Sequence, residues 1–319
     1  MPPAFQIDRA APLLFVINGA SGHRAADATR EAIEAGLRAA GRTGELLLTQ
    51  PGQLPEVARQ AALRAKASRT AVVAVGGDGT LNSVAQHAHA EGCAMGVVPQ
   101  GTFNYFARTH GIPADSADAM RVLLASSPRP VQVGAVNGKL FLVNASVGLY
   151  PVLLEDRETY KARFGRSRLV AMGAAFVTLM REHRQLHLRI DRGGTLREVR
   201  TPTLFVGNNR LQLEQVGMRE PGAADAGSIA AVILRPIGTV SMLWLLLRGA
   251  FGSLGDADNV DSFDFHRMVV RPSLRYGRRR TKIACDGEVS WLDWPLEFKV
   301  ADQPLMLLKP EADQAEPAA

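Results

Sequence analysis

The chain has 319 residues, 46% of them hydrophobic and 21% charged, enough for two globular domains with sizeable cores. Thirty-seven Lys and Arg against 31 Asp and Glu leave a net charge of +6, which suits an acidic partner such as nucleotide phosphates or anionic lipid. Two cysteines, Cys93 and Cys285, exclude a disulfide scaffold or a cysteine-rich zinc centre and suit a reducing compartment.

The N-terminus shows no basic, apolar and small-residue succession of a secretory signal. The longest apolar windows, 169–180 and 240–251, fall short of the about 18 residues a membrane span needs. A protein without a span, cytoplasmic and at most peripheral to the inner face of the membrane, is the expectation.

In chain order, "LLFVIN" (13–18) reads as a buried strand, 27–41 as a helix carrying Ile33 and Leu37, and "GELLLT" (44–49) as a second strand. An alanine-rich helix (54–67), a strand "TAVVAV" (70–75), a helix with Leu81, Val84, Ala85 and Ala88 on one face, and a strand "AMGVVP" (94–99) follow. Alternating strands and helices predict a doubly wound parallel sheet. Beyond "SSPRPVQVG" (126–134) come β-like segments at 130–136, 139–144, 186–191, 196–206, 228–234, 264–271, 281–285 and 295–300. Helical inserts near 166–183 and 239–252 interrupt them. The expected division is an α/β domain over 12–128, rejoined by 303–310, a mainly antiparallel β-sandwich-like domain over 129–302, and a disordered tail at 311–319.

The third strand runs into "GGDGTLN" (76–82). Glycines at a strand-to-helix turn let an anion approach backbone N–H groups at the helix N-terminus, where the helix dipole favours it. No lysine-serine or lysine-threonine pair makes it a Walker A loop. Asn82 stands where the dinucleotide fingerprint has its third glycine. Asp78, a carboxylate inside a phosphate nest, makes sense beside a magnesium ion or a hydroxyl; the plainer reading is a capping aspartate in a βα turn. "CDGEVS" (285–290) reads by itself as a hairpin turn, since Asp-Gly between β-like flanks is a strong hairpin signal. The run "RYGRRRTK" (275–282) can meet anionic headgroups or be a solvated strand face. Nucleic acid is not an expected partner, for want of aromatics near the basic run or any recognisable module.

These segments resemble the diacylglycerol kinase and bacterial lipid kinase family, within a superfamily that includes sphingosine kinases and NAD kinases. "VINGASG" (16–22), "GGDGTLN", "VVPQGTFNYFARTHGIP" (97–113), "NASVGLY" (144–150), "VGNNRLQ" (206–212) and "ACDGEVS" (284–290) carry the resemblance along nearly the whole chain. It implies an NAD kinase-like α/β domain followed by a β-sandwich-like domain with the active site in the cleft between them. It also implies ATP and Mg²⁺ as cofactors, a lipid hydroxyl at the membrane surface as acceptor, and a homodimer. Carried over by motif, the nucleotide contacts are Asn18, Ser21, Thr49, Gly76, Gly77, Asp78, Gly79, Thr80, Leu81, Asn82, Gly101, Thr102 and Asn104. The catalytic carboxylates are Glu288, as proton acceptor, with Asp286 and Asp78, and Asp78 is the candidate ligand of the catalytic magnesium. Two departures stand out. In "AADAGSIAAV" (223–232), Ala226 and Ala230 replace acids of the family's structural magnesium site, with Asp225 one position early, and Tyr105 replaces a common aspartate. The alternatives are an NAD kinase-like phosphotransferase or a non-catalytic lipid- or nucleotide-binding protein on the same fold. The residues do not specify which lipid would be phosphorylated.

Overall fold

The structure, a computed structural model, describes residues 6–19, 23–149, 151, 185–208, 227–235, 260–273 and 279–311. In chain order the α/β part comprises β1 (Leu13–Asn18), α1 (His23–Ala39), β2 (Gly44–Thr49), α2 (Leu54–Ala67), β3 (Ala71–Gly76), α3 (Asp78–Glu91), β4 (Ala94–Pro99), α4 (Tyr105–Thr109), α5 (Ser116–Ala125) and β5 (Ser127–Val131). The β-rich part comprises β6 (Gly134–Val136), β7 (Lys139–Phe141), β8 (Asn144–Gly148), β9 (Leu186–Arg192), β10 (Thr195–Thr201), β11 (Thr203–Gly207), β12 (Ile229–Leu234), β13 (Val260–Phe265), β14 (Arg267–Pro272), β15 (Arg280–Cys285), β16 (Glu288–Asp293) and β17 (Leu296–Val300). A last strand, β18 (Leu305–Lys309), closes the order. The chain packs as two compact units, Met1–Val133 with Asp302–Ala319, and Gly134–Ala301.

The first unit is built on one sheet of order β2-β1-β3-β4-β18-β5. β1 to β4 run parallel, β18 runs parallel to β4, and β5 lies antiparallel on the edge. β3 and β4 are buried along their whole length, which is why they read as continuous apolar runs rather than alternating ones. Helix α2 buries Ala58, Ala61, Ala62 and Ala65, and α3 buries Leu81, Val84, Ala85 and Ala88; small side chains let these helices lie close to one another. Gly92, left-handed at φ 68°, ends α3, and the Asp115 carboxylate caps α5 by accepting from the N–H groups of Ala117 and Asp118. β5 holds Pro128 and Pro130, tolerated because an edge strand has one row of N–H groups unused by the ladder.

The second unit is a sandwich of two six-stranded sheets, β10-β9-β14-β17-β6-β7 and β13-β12-β11-β8-β15-β16, with every strand pair antiparallel. Its core draws Leu188, Ile190, Met268, Val270, Leu296 and Phe298 from one sheet and Val147, Leu204, Val206, Ala231, Ile233 and Ile283 from the other. The expected class, doubly wound α/β followed by an antiparallel sandwich, is the class observed. Segments read as single strands at 196–206 and 264–271 are each two strands, broken at Pro202 and at His266. The inserts near 166–183 and 239–252, Ser21, Asp225, Ala226, residues 275–278 and the tail beyond 311 lie outside the described residues. Among those described, no helix is long and apolar enough to cross a membrane.

Candidate functional site

In the first unit the strand order reverses between β1 and β3: β2 lies to one side of β1 and β3 to the other. Ligands of open α/β sheets bind outside the carboxyl ends of the strands at such a point. Asn18 ends β1, Thr49 ends β2 and Gly76 ends β3, so the sheet places these motif residues along one edge. Across the reversal the Asn18 Nδ2 donates to Thr80 Oγ1 at 3.2 Å. Thr49 is buried; its hydroxyl donates to the Ile17 carbonyl at 3.2 Å, and its own carbonyl accepts from Gly19 N–H at 3.2 Å.

The three glycines of the turn have different reasons to be glycine. A Cβ on Gly76 would meet the Thr80 side chain at 2.6–2.9 Å, so packing demands its absence. A Cβ on Gly77 would meet only the Gly101 Cα and N, at 3.5 and 3.9 Å, an ordinary contact, and its backbone is extended at φ −84°, ψ −178°. The fold therefore has space for a Cβ at Gly77, and its absence leaves room over the N-terminus of α3. Gly79 sits inside the first turn of α3. Gly77 is the N-cap and has no side chain to bond the first N–H groups of the helix, leaving that turn open to an anion.

The second glycine turn follows β4. Gly101 has no space for a Cβ, which would stand 2.7 Å from Asn104 Oδ1 and 3.1 Å from the Gly77 Cα. The two turns thus meet backbone to backbone. Asn104, buried and left-handed at φ 50°, accepts from Gly101 N–H at 2.9 Å and holds the turn closed. Gln100 ties the strand ends together: its N–H donates to the Gly76 carbonyl at 2.8 Å, and its Nε2 to Thr29 Oγ1 at 2.5 Å. Sequence reasoning missed Gln100, whose only signal was its place between a buried strand and a glycine turn.

Of the remaining turn residues, Thr80, Leu81 and Asn82 are buried residues of α3 itself, and Asn82 Oδ1 accepts from Gln86 Nε2 at 3.2 Å. Gly77, Asp78 and Gly79 are half-buried at the surface of the turn, and Thr102 is exposed. Phe103, 52% exposed, stacks on Tyr105 with ring centroids 5.5 Å apart. Burial raises the Tyr105 phenol pKa; Arg108 opposes the rise and the nearby Asp78 charge adds to it. Tyr105 therefore stays neutral at neutral pH.

In the second unit, Asp286-Gly287 is the two-residue loop of the β15–β16 hairpin, with positive φ at both residues (49° and 87°), as a type I′ turn requires. The buried Asp286 carboxylate reaches across to residues 142–144: Oδ2 accepts from Leu142 N–H at 2.7 Å, and Oδ1 from Val143 and Asn144 N–H, both at 2.9 Å. The carbonyls of the same segment are met as well. Leu142 O accepts from Asn208 Nδ2 at 3.1 Å, Val143 O from Asn208 N–H at 2.8 Å, and Asn144 O from Asp286 N–H at 2.9 Å. Three sequence motifs, "NASVGLY", "VGNN" and "CDGE", thus meet to hold one stretch of backbone.

Glu288 follows this turn and reaches solvent. Partial desolvation pushes its carboxyl above the ordinary range, Lys139 pulls it down and Asp286 pushes it up. Lys139 donates to Ser290 Oγ at 3.2 Å. Burial pushes the neighbouring Cys285 thiol up to about 12, so it is no nucleophile at neutral pH.

Among the described residues no three His, Cys, Asp or Glu side chains cluster as a dedicated metal cage. Asp78, a carboxylate in the glycine turn, would fit the other way magnesium is held, by one or two carboxylates together with phosphates of a bound ligand. Ala230 is buried on β12 and offers no ligand.

The fold described above is similar to that of solved structures titled as diacylglycerol kinases. A diacylglycerol kinase from Bacillus anthracis str. Sterne matches with TM-score 0.67 at 17% identity over 94% of this chain and 97% of its own. Another structure from that organism reaches 0.72 at 19% identity, over 96% and 99%. By sequence, residues 12–136 match the family described as the diacylglycerol kinase catalytic domain. Curated relatives include a "Probable lipid kinase YegS-like" of Pseudomonas syringae pv. tomato, 42% identical over 191 residues, which is 57% of this chain and 59% of that protein. A diacylglycerol kinase of Bacillus subtilis is 36% identical over 116 residues, 34% of this chain and 36% of that one. A YegS-like protein of Pseudomonas aeruginosa is 50% identical over 80 residues. The matched stretches span 26% to 59% of the length of these relatives.

Proposed function

We propose that the protein is a lipid kinase that transfers the γ-phosphoryl group of ATP to a hydroxyl of diacylglycerol or a related lipid. The observation that carries this reading is the turn at Gly77. The fold has space for a Cβ there, yet the position is bare above an uncapped helix N-terminus at the strand reversal. A triphosphate would lie against the backbone of Gly77 to Gly79, while Asn18 and Thr80 fix the turn beneath it. Asp78 would hold magnesium jointly with the phosphates; the ion, when bound, neutralises charge on the transferring group and the leaving diphosphate.

In the transfer the lipid oxygen bonds to the γ-phosphorus, the bridging β–γ P–O bond breaks with its electron pair on the departing ADP, and the hydroxyl proton goes to a carboxylate. Glu288 is the base in this account, since its raised proton affinity suits acceptance from an alcohol, an effect typically worth about 10²–10⁴-fold. Asp286, its oxygens committed to three backbone N–H groups, positions the hairpin that carries Glu288.

The reading is tested by incubating the full chain with γ-labelled ATP, Mg²⁺ and total lipid extract in detergent micelles, with NAD as control acceptor. Label on a lipid that Glu288→Gln fails to produce, while still binding ATP, supports it. Label on NAD, or none on any lipid, contradicts it.

A further inference from the structure

At the far side of the first unit's sheet, β18 and β5 lie antiparallel with Lys309 opposite Ser127 and Leu307 opposite Arg129. Lys309 and Arg129 are therefore diagonal neighbours across the strand pair. Like charges so placed repel, and sheets ordinarily avoid them. Both line a cavity of about 430 Å³ together with Arg121, Ser126, Ser127 and Glu311. Glu311 pairs with Arg129 and Asp118 with Arg121, both through exposed side chains. That leaves Lys309 without a carboxylate among the described residues, and the Nε of Arg129 is buried with no hydrogen-bond partner. Burial, and after it the Arg129 charge, lowers the Lys309 pKa. The nearby His110 adds no charge at neutral pH, since burial with some help from Lys309 pushes it down to about 3.

A cavity lined by Lys309, without a carboxylate partner among the described residues, by a buried Arg129 N–H donor and by the Ser127 hydroxyl is complementary to a tetrahedral dianion, which would compete with Glu311 for Arg129. We propose that it is a second anion site that takes a phosphate monoester group. It lies on β18 and β5, two and three strand positions from β3, which at a strand spacing of about 4.8 Å is about 10–15 Å across the sheet from the strand that leads into the glycine turn. Lys309 and the Arg129 Nε are its donors, and Ser127 Oγ completes the set. The bound dianion can be the monoester headgroup of a phosphorylated lipid or free inorganic phosphate. The site does not rest on the kinase reading, since its test needs no turnover.

The test uses the full chain as wild type, Lys309→Gln, Lys309→Arg and the double variant Arg129→Gln/Lys309→Gln. Inorganic phosphate, against chloride at equal ionic strength, should raise the melting temperature of wild type by about 2–4 °C more than that of Lys309→Gln. Phosphate bound at the glycine turn is common to both and cancels. Without phosphate, Lys309→Gln should melt at or above wild type, because a repulsion has been removed. Flotation with phosphatidylcholine vesicles containing phosphatidic acid or phosphatidylglycerol then separates the sources. Binding to the phosphatidic acid vesicles about tenfold tighter than to the others, lost in Lys309→Gln and kept in Lys309→Arg, assigns the site to a lipid headgroup. A phosphate-dependent melting shift without vesicle discrimination assigns it to a free anion. Equal melting shifts and equal vesicle binding in wild type and both glutamine variants would overturn the proposal.

Discussion

The glycine turn of the first unit and the Asp-Gly hairpin of the second solve the same problem, holding backbone where chemistry needs it, by opposite routes. The turn is local: Gly76, Gly77 and Thr80 are consecutive or nearly so, steadied by bonds from Asn18 and Gln100. The hairpin works at long range, since Asp286 binds residues more than 140 positions earlier. Local geometry leaves an open helix end that a ligand can fill, whereas the long-range clamp commits its carboxylate to three backbone N–H groups. The first is built as a binding surface and the second as a support.

Breaking the support should have the largest effect. Asp286→Ala strands three backbone N–H groups, each worth about 1–3 kcal/mol when left buried and unbonded. Urea denaturation should show a loss of roughly 3–5 kcal/mol, at the upper end for single substitutions. Asp286→Asn, which keeps one acceptor oxygen, should fall between it and wild type. Gly76→Ala comes next. Its Cβ would push Thr80 off its place, for about 1–3 kcal/mol of overpacking, and would weaken the bond from Asn18.

The smallest effect sharpens the comparison electrostatically. Glu288 has a raised pKa, so in the window between the ordinary carboxylate range and that raised value the native state holds a proton that the unfolded chain has lost. The stabilisation tied to this proton is present below that window and lost as pH rises through it. Lys139 counters the shift, so Lys139→Met should raise the Glu288 pKa further. The acid limb of the kcat/KM profile should then move to higher pH, with little change in its plateau.

How much of this was legible in the sequence follows the same division. The ends of β1, β2 and β4 were readable to the residue, because buried parallel strands are apolar runs stopped by polar or glycine punctuation. β3 was displaced by one residue, since Thr70 and Gly76 both suit a strand end. Residues 130–136 read as one strand but hold the end of β5 and all of β6, which belong to different sheets. No local pattern reports that β5 pairs with β18, about 180 residues away. β16 escaped as a strand because its alternating polar residues, at an edge, resemble a loop. At the site, the glycines and Asp78 announced themselves by composition. Gln100, Lys139 and the clamping role of Asp286 did not, because their partners are distant in sequence and their residue types are ordinary.

The central claim is that Gly77 is bare for a ligand and not for the fold. Calorimetric titration of ATP with Mg²⁺ into wild type and Gly77→Ala, with the melting temperature of each recorded beside it, tests this most directly. The account predicts that Gly77→Ala melts within about 2 °C of wild type, since its Cβ makes only an ordinary contact, yet binds the nucleotide at least tenfold more weakly. Nucleotide binding as tight as wild type in a variant that folds equally well would contradict it.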